Sequence, residues 1–271
     1  PDHTIFNERP ESQDRAIRQL QAMGYQYITR AEAEQKRGRL SYVIFPDVMR
    51  EFMSCQSFRY RNKITPFSDR SIGAAIRYLD VVLERGLMYA SKTIYDSLLF
   101  GKSCEEELFD GGRQSFDLNY IDWEHPEKNI WQITDEFSVE RPNGKFARPD
   151  IVILVNGIPL VVIECKKSGV DVEEGIKQNI RNWQPGYIPH LFKYVQLVVA
   201  MNPNEVMYAT AGTPQEFFCK WTELGKENKL WQTEAAKRYT GESIVTEQDK
   251  TIVSLLSKDR LLSLIRYYIL Y

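Results

Sequence analysis

The sequence predicts an α/β fold with a mixed central β-sheet flanked by helices and an N-terminal helical extension. Helical spacing of apolar residues dominates the first hundred residues, the period shortens towards two in the middle of the chain, and helical spacing returns at the end. This order of helices, strands, one helix, strands and helices is typical of a sandwich with a mixed sheet. It is not the pattern of a repeated, doubly wound βαβ fold.

Three helices are predicted in the first third of the chain. Ala16 and Leu20 recur at helical spacing, and Gly24 follows as a stop signal. Residues 68–85 carry an apolar stripe along one face, which predicts a second helix. A third helix is predicted over residues 93–100.

The middle of the chain is predicted to form strands. Residues 115–121 and 130–139 are strand candidates, and the dense apolar runs 151–155 and 160–163 lie on either side of an Asn156-Gly157 turn signal. Continuous apolar strands of this kind are covered on both faces, so we place these two runs at the centre of the sheet.

The remaining elements complete the sandwich. Asp171 is predicted to cap a helix that runs to about Trp183. The later predictions are strands at residues 194–201 and 206–210, a loop or frayed helix at 223–229, and one helix or a pair at 246–271.

Composition and charge exclude several protein classes. The chain has 271 residues, 43% of them hydrophobic, which is enough for a sizeable core in one large or two modest domains. No apolar run approaches the roughly 18 residues that span a bilayer, so no membrane association is expected. The formal net charge of −2 gives no global basic footprint.

Cysteine and histidine usage bears on metal sites and location. The four cysteines and three histidines are widely scattered, which argues against a zinc cluster and does not support a disulfide framework. The N-terminus has no secretory signal pattern. We therefore expect a cytoplasmic protein with reduced thiols.

Charged residues mark the ends of the two buried strands. Asp150 precedes the first strand, and Glu164 and Lys166 close the second, two residues apart and therefore on one face. A strict two-residue loop at Asn156-Gly157 would put Asp150 on the opposite face. A three-residue loop, or one bulge, pairs Asp150 with Glu164 instead, and we predict this shifted register.

Two carboxylates and an ammonium at one end of a sheet suit phosphodiester hydrolysis. Oxygen ligands hold Mg²⁺, which polarises a phosphate and lowers the pKa of a bound water. Lys166 could orient the attacking water or stabilise charge on phosphorus. A simple salt bridge at a strand end is the alternative, and the spacing alone does not separate the two. A second Glu-x-Lys string, at residues 227–229, lies in polar sequence without flanking strands.

Pro149-Asp150 followed by Glu164-x-Lys166 on adjacent strands resembles the PD-(D/E)xK nuclease superfamily. The longer pattern is similar to one family within it, the N-terminal endonuclease domain of the restriction (R) subunit of type I restriction enzymes. The likeness spans most of residues 90–210. It is carried by residues 99–103, 114–116, 120–123, 136–139, 155–160, 188–194 and 196–199.

This resemblance implies a restriction-endonuclease-like core and a type I site-specific deoxyribonuclease that hydrolyses DNA phosphodiester bonds with Mg²⁺. It implies Asp150 and Glu164 as metal ligands, with the main-chain carbonyl of Cys165 as a further ligand. Lys166 would be the catalytic lysine.

The resemblance also directs attention to the helix after the second strand and to the first helix. The family carries a Gln-x-x-x-Tyr motif on the later helix, where this sequence has Gln178 and, at the tyrosine position, Asn182. Relatives often carry an acid on the first helix, where this sequence offers Gln13 or Asp14. We assign a role to neither of these two.

Several polar residues near the motif are candidates for supporting the site or contacting DNA. Gln178, Lys167 and Arg181 are the ones that we select. A local basic surface for the DNA backbone would be formed by Lys166, Lys167, Lys177, Arg181 and Lys193. Acidic residues lie among them, so a solvated helix face is an equal alternative.

The resemblance sets the expected domain organisation and partners. We predict an endonuclease domain over residues 1–230, with a core at about 105–212 and a helical part at about 1–100. Residues 231–271 would connect to a missing ATP-driven motor domain, so ATP would be used only there. Double-stranded DNA and the methylation and specificity subunits are the expected partners. A different PD-(D/E)xK repair nuclease and a non-catalytic DNA-binding or docking module remain alternatives.

Overall fold

The computed structural model describes residues 11–269. The helices are α1 (Glu11–Ala22), α2 (Arg30–Arg37), α3 (Pro46–Ser54), α4 (Asp69–Tyr78), α5 (Leu87–Phe100), α6 (Val172–Asn182), α7 (Pro189–Phe192), α8 (Lys226–Thr240), α9 (Glu247–Leu255) and α10 (Lys258–Tyr268). The strands are β1 (Gln26–Ile28), β2 (Ser57–Tyr60), β3 (Lys63–Pro66), β4 (Lys102–Glu107), β5 (Arg113–Leu118), β6 (Trp131–Asp135), β7 (Val139–Glu140), β8 (Phe146–Ala147), β9 (Ile151–Val155), β10 (Ile158–Cys165), β11 (Leu197–Asn202), β12 (Glu205–Ala209) and β13 (Cys219–Lys220).

A seven-stranded mixed sheet forms the centre of the molecule, in the order β1-β6-β9-β10-β11-β12-β13. The β1–β6 and β10–β11 pairs are parallel, and the other pairs are antiparallel. Helix α6 packs on β10 and β11, α9 on β12, and α2 on β6. The predicted fold class, a mixed sheet flanked by helices, is confirmed.

The central strands are buried along their whole length. Every residue of β9, β10 and β11 is buried, so both faces of this part of the sheet are covered. The residues are mainly β-branched or Leu, which fit a pleated surface and pack well against neighbouring strands. These three strands therefore form a rigid base for the residues at their ends.

The β9–β10 hairpin has the predicted register, but a bulge produces it and the loop is not lengthened. Asn156 and Gly157 both have positive φ (52° and 80°), as a tight two-residue primed turn requires, and Val155 pairs with Ile158. The register then shifts between Pro159 and Val161. After this bulge Ile163 pairs with Ile151, so Glu164 comes to lie opposite Asp150.

Several elements differ from the sequence predictions. The first third is not purely helical, because β1 joins the main sheet parallel to β6. The helix predicted over residues 68–85 is shorter, since α4 ends at Tyr78. The strand predicted over residues 130–139 is broken after Asp135, where Glu136 takes a positive φ of 48°. The segment predicted as a loop or frayed helix begins α8.

Helices from the two ends of the described chain are joined by buried polar contacts. Ser12 and Gln248 exchange two hydrogen bonds, at 2.6 and 2.8 Å. Arg15 forms an ion pair with Asp249, with 2.7 Å between Nε and Oδ1. Helices α8 and α9 thus pack against α1. No helix within residues 11–269 is long and apolar enough to cross a membrane.

Candidate active site

The bulged register brings Asp150 to the ends of three adjacent strands. One carboxylate oxygen of Asp150, Oδ2, accepts a hydrogen bond of 2.7 Å from the main-chain N–H of Cys165. Its carbonyl accepts two more, from the side-chain amide of Gln13 at 2.9 Å and from the main-chain N–H of Glu136 at 3.0 Å. The aspartate is therefore fixed by β10, by α1 and by the end of β6.

Glu164 is fully buried beside Asp150. Its Oε1 accepts a hydrogen bond of 3.3 Å from the amide of Asn182, while its Oε2 receives no donor from the described residues. Burial raises the pKa of Glu164 well above its usual value, and the neighbouring Asp150 raises it further, whereas Lys166 opposes the shift. In their ionised forms neither carboxylate could donate to the other, so ionising this pair leaves the buried Oε2 without a donor.

The pKa of Asp150 is also raised, and burial is again the main cause. The hydrogen bond from Cys165 and the charge of Lys166 act in the opposite direction. The half-buried Asp150 and the buried Glu164 lie side by side, and their raised pKa values mean that ionising both of them costs free energy unless a cation is present. Such an arrangement is typical of functional sites, where a cation or substrate completes the environment.

Lys166 is held by the following helix. Its Nζ donates a hydrogen bond of 2.6 Å to Oε1 of Gln178, and its main-chain N–H donates to the carbonyl of Met201 at 2.7 Å. Since Glu164 and Lys166 are two apart, both side chains project from the same face of the chain. The structure thus brings Asp150, Glu164, Lys166 and Gln178 together.

Helix α6 is positioned by its cap and by a close approach to the sheet. Asp171 caps the N-terminus by accepting a hydrogen bond from the main-chain N–H of Glu173, as predicted. A Cβ at Gly175 would lie 3.0 Å from the Cβ of Ala200, so this helical position favours a residue without a side chain. Gln178 and Asn182, one turn apart, then share the face that meets the strand ends.

The donor set fits a hard divalent cation. Asp150 and Glu164 supply carboxylate oxygens, one of them buried and without a donor, and oxygen is the ligand that Mg²⁺ prefers. Within residues 11–269 no three Asp, Glu, His or Cys side chains stand close enough together to enclose one ion. An ion at the Asp150–Glu164 pair would therefore keep further ligands from main chain, water or substrate.

The family model described as "Type I restriction enzyme R protein N terminus (HSDR_N)" matches residues 5–217. The chain belongs to this R protein family. It is 27% identical over 194 residues to the type I restriction enzyme SsaAORF53P endonuclease subunit of Staphylococcus saprophyticus, covering 71% of this chain and 18% of that protein.

Two further relatives carry the same kind of name. Identity to the HindI endonuclease subunit of Haemophilus influenzae is 23% over 265 residues, covering 94% of this chain and 23% of the relative. The EcoprrI endonuclease subunit of Escherichia coli is 31% identical over 133 residues, covering 48% of this chain and 40% of the relative. This chain therefore spans only a part of each of these R proteins.

The other candidates for supporting roles in this R protein domain lie on the surface. Lys167 and Arg181 are exposed, and the Arg181 guanidinium lies 5.5 Å from the ring centre of Tyr187. Cys165 has a buried thiol, and burial raises its pKa well above the usual value, so the side chain is chemically inert. Its main-chain carbonyl remains the candidate ligand.

Two of the five residues predicted to form a basic surface do not present a free positive charge: one is buried, which makes its prediction wrong, and one forms an ion pair. Lys193 is buried, where its Nζ contacts Asp80 at 3.2 Å and donates to the carbonyl of Val81 at 2.6 Å. It therefore does not belong to an exposed basic surface, because the side chain is buried and its amine is engaged by Asp80 and by the main chain of Val81. Lys177 is exposed but forms an ion pair of 2.9 Å with Glu174.

Three residues that contact the site have no role assigned from the sequence: Gln13, Asn182 and Glu136. Gln13, one of the two candidates on the first helix, contacts the main chain of Asp150. Asn182, noted as a departure from the family pattern, contacts Glu164. Glu136 lies inside the strand predicted over residues 130–139, and nothing in the spacing of the sequence marks it as the residue at which that strand ends.

Proposed function

We propose that this chain is the nuclease part of a type I restriction enzyme R subunit and hydrolyses phosphodiester bonds of double-stranded DNA with Mg²⁺. One observation carries the proposal. The buried Glu164, which has one oxygen lacking a donor, lies next to the half-buried Asp150 and near a lysine amine that Gln178 holds in place. Membership in the R protein family favours this function over that of an unrelated repair nuclease.

The residues divide into ion-holding and charge-stabilising groups. Asp150, Glu164 and the carbonyl of Cys165 would hold Mg²⁺, which when bound polarises a phosphate and acidifies a water. The N–H of Cys165 fixes one oxygen of Asp150, and Asn182 engages one oxygen of Glu164, so the other oxygens stay available. These contacts hold the acidic groups in place before substrate arrives.

Lys166 supplies positive charge at the same edge. Gln178 accepts from its ammonium and so restricts where the group can point. An ammonium beside the scissile phosphate would stabilise the charge that develops on the non-bridging oxygens, or orient the attacking water. The exposed Lys167 and Arg181 would contact the DNA backbone nearby, through charge and without reading sequence.

The partners of the complete enzyme follow from the same proposal. The curated relatives are named endonuclease subunits, and this chain covers 18% of the Staphylococcus saprophyticus protein. We propose that sequence recognition and methylation belong to other subunits of the complex. ATP would be used by a motor in the remaining part of the R protein.

The test uses the complete restriction complex with the single substitution Lys166→Ala in its R subunit. We expect DNA cleavage to fall by at least about a thousandfold, because charge stabilisation at the scissile phosphate is lost. DNA-dependent ATP hydrolysis and the thermal unfolding midpoint should be retained. Cleavage is measured on circular DNA that carries the unmethylated recognition site.

The matched control is Lys229→Ala, which removes the lysine of the other Glu-x-Lys string, exposed on α8. Its cleavage rate should equal that of the parent. Parental cleavage in the Lys166→Ala complex would overturn the proposed role of this lysine. Parental cleavage in Asp150→Ala and Glu164→Ala as well would identify a non-catalytic module with the same fold.

A further inference from the structure

The β7–β8 hairpin begins and ends at the edge of the sheet where Asp150 and Glu164 lie, which we call the acidic edge. Asp135 pairs with Ile151 where β6 ends and β9 begins, and residues 136–150 connect these two strands. Both ends of the connection therefore leave the sheet beside Asp150. The hairpin within it is an added element of the acidic edge.

The hairpin carries positive charge that no described acid neutralises. Residues 139–148 contain Arg141, Lys145 and Arg148 against a single acid, Glu140, whereas the whole chain has a formal net charge of −2. Lys145 and Arg148 are exposed, and neither forms an ion pair with a residue in the described part of the chain. Both charges are therefore free to bind an anion.

The hairpin also exposes an aromatic ring between its two free cations. Opposite residues of an antiparallel pair share a face, and Val139 pairs with Ala147, and Glu140 with Phe146. Val139 is buried, so its face meets the core, whereas Phe146 lies on the other face with 44% of its side chain exposed. Arg148 follows two residues later, closer to the acidic edge.

The hairpin is held in position by the loop that follows α6. The Arg141 guanidinium lies 4.0 Å from the ring centre of Tyr187, and its Nε donates a hydrogen bond of 3.2 Å to the carbonyl of Gly186. Across the turn, the main-chain N–H of Arg141 donates to the carbonyl of Lys145 at 2.7 Å. The hairpin is therefore fixed relative to α6, the helix that holds Lys166, before any DNA binds.

Exposed cations stand on both sides of the acidic edge. The charge of Arg148 acts on Glu136, which follows β6, and the charge of Arg181 acts on Glu164, which lies in β10; each opposes the rise in pKa that burial causes. Charge interactions weaken with distance, so each arginine lies near its acid. The strand between them, β9, begins beside Asp150. A nucleic-acid backbone crossing this edge would meet a cation on either side.

We infer that the β7–β8 hairpin binds duplex DNA beside the acidic edge, with Lys145 and Arg148 on backbone phosphates and Phe146 against the wall of a groove. This inference rests on the proposed function and assigns its substrate a binding element that the acidic residues do not provide. Phosphate contacts fix the register of a duplex without reading its sequence. A two-stranded ribbon fits the major groove, which is about 12 Å wide.

The experiment measures binding of a short fluorescent duplex of mixed sequence to the 271-residue chain by anisotropy, at several KCl concentrations. EDTA is present, so contacts through a bound divalent ion do not contribute. Lys145→Ala and Arg148→Ala should each weaken binding about three- to tenfold and reduce the salt slope by about one, because each removes one phosphate contact. Phe146→Ala should weaken binding about fivefold with an unchanged slope, because no charge is lost.

Two variants act as controls. Arg59→Ala removes an exposed arginine without an ion pair among the described residues, from the other two-stranded hairpin, β2–β3, and should bind like the parent. Lys145→Arg keeps the charge and should restore the parental salt slope. The thermal unfolding midpoint of every variant should equal that of the parent, since the substituted side chains are exposed.

The outcomes separate this inference from the proposed function. Parental affinity and salt slope in all three hairpin variants would overturn the inference, as would an equal loss in Arg59→Ala or the absence of duplex binding by the wild-type chain. Each of these results leaves the proposed function to stand on cleavage by the Lys166→Ala complex. Weakened binding in the hairpin variants together with parental cleavage in Lys166→Ala would support the hairpin and overturn the role of that lysine.

Discussion

The two ends of the β9–β10 hairpin bury polar groups in opposite ways. At the turn, the Asn156 side chain accepts from the N–H of Ile130 at 2.7 Å and donates to the carbonyl of Tyr120 at 2.9 Å and to Asn129 at 2.7 Å. At the other end, Glu164 is equally buried but has one oxygen without a donor among the described residues.

This difference suggests that the turn of the hairpin serves stability, whereas the opposite end serves ligand binding. A buried polar side chain with all its hydrogen bonds made stabilises a turn and needs no other explanation. One that lacks a partner costs free energy, so its retention at the acidic end points to a ligand. The turn end should therefore control stability, and the acidic end should control chemistry.

The largest effect is expected from a substitution at the turn end. Gly157→Ala should lower the free energy of unfolding by roughly 3 kcal/mol, because Gly157 has a φ of 80° and an added Cβ would lie 2.6 Å from the carbonyl oxygen of Phe45. Gly144→Ala is the matched control, with positive φ but no atom within 4 Å, and should cost about 1 kcal/mol. Urea unfolding measures both, and equal losses would contradict the role of the close contact.

At the acidic end, Glu164→Gln should raise stability while removing cleavage. The folded pKa of Glu164 is raised, so the wild-type contribution is fully present below the unfolded value of 4.5 and is lost as the pH rises towards the folded pKa. Without divalent ions, the free energy of unfolding of the variant should exceed that of wild type by an amount that grows from pH 4.5 and reaches on the order of 2 kcal/mol at pH 8. Urea unfolding at pH 5 and pH 8 tests this, and a gain that does not grow with pH would contradict it.

His190 tests whether a buried unpartnered atom must be functional. Its Nε2 has no partner in the described structure, and burial chiefly lowers the pKa of His190 to about 4. The stability of the neutral ring is present above the unfolded pKa of 6.5 and is lost as the pH falls towards 4. When the pH falls from 7 to 5, the free energy of unfolding should therefore decrease by about 1–2 kcal/mol less in His190→Gln than in wild type, after allowance for partial exposure.

Cleavage by the complete complex should be unchanged in His190→Gln at pH 8, where the ring is neutral in both states. A parental dependence of stability on pH in this variant would show that His190 does not titrate as its burial predicts. A loss of cleavage would instead extend the functional region beyond the acidic end.

The smallest effect is expected at Asn182, which contacts the acidic end without belonging to the ion-holding set. Asn182→Ala should reduce the cleavage rate about five- to tenfold, or about 1 kcal/mol, because Glu164 loses the donor to its Oε1. The Mg²⁺ concentration for half-maximal rate should rise, which a purely structural role would not produce. An unchanged Mg²⁺ dependence would contradict the positioning role of this amide.

The sequence predicts the centre of the sheet well and its interruptions poorly. Continuous apolar runs identify β9 and β10, and the charged residues at their ends predict the shifted register. The residue that produces the shift, Leu160, lies in the middle of an apolar run and carries no turn signal. Its bulge depends on packing across the sheet, which a single sequence does not encode locally.

Residues contributed by distant segments account for the other differences. Strand β1 is three residues long and gives no periodic pattern, so its pairing with β6 is visible only in the fold. The charge of Lys193 predicts a surface position, but its side chain is buried and its amine contacts Asp80 and the carbonyl of Val81. Asn182 could be placed on the helix from its spacing to Gln178, but its contact with Glu164 depends on how α6 lies against the sheet.

The buried contacts between α1 and α9 connect the C-terminal helices to Asp150. Gln13, which holds the main chain of Asp150, stands between Ser12 and Arg15, and both of these are fastened to α9 through Gln248 and Asp249. A displacement of α9 relative to the sheet would therefore move α1, and with it the Gln13 amide that contacts the main chain of Asp150. A movement of the C-terminal helices would in this way change the position of the Asp150 carboxylate relative to Glu164.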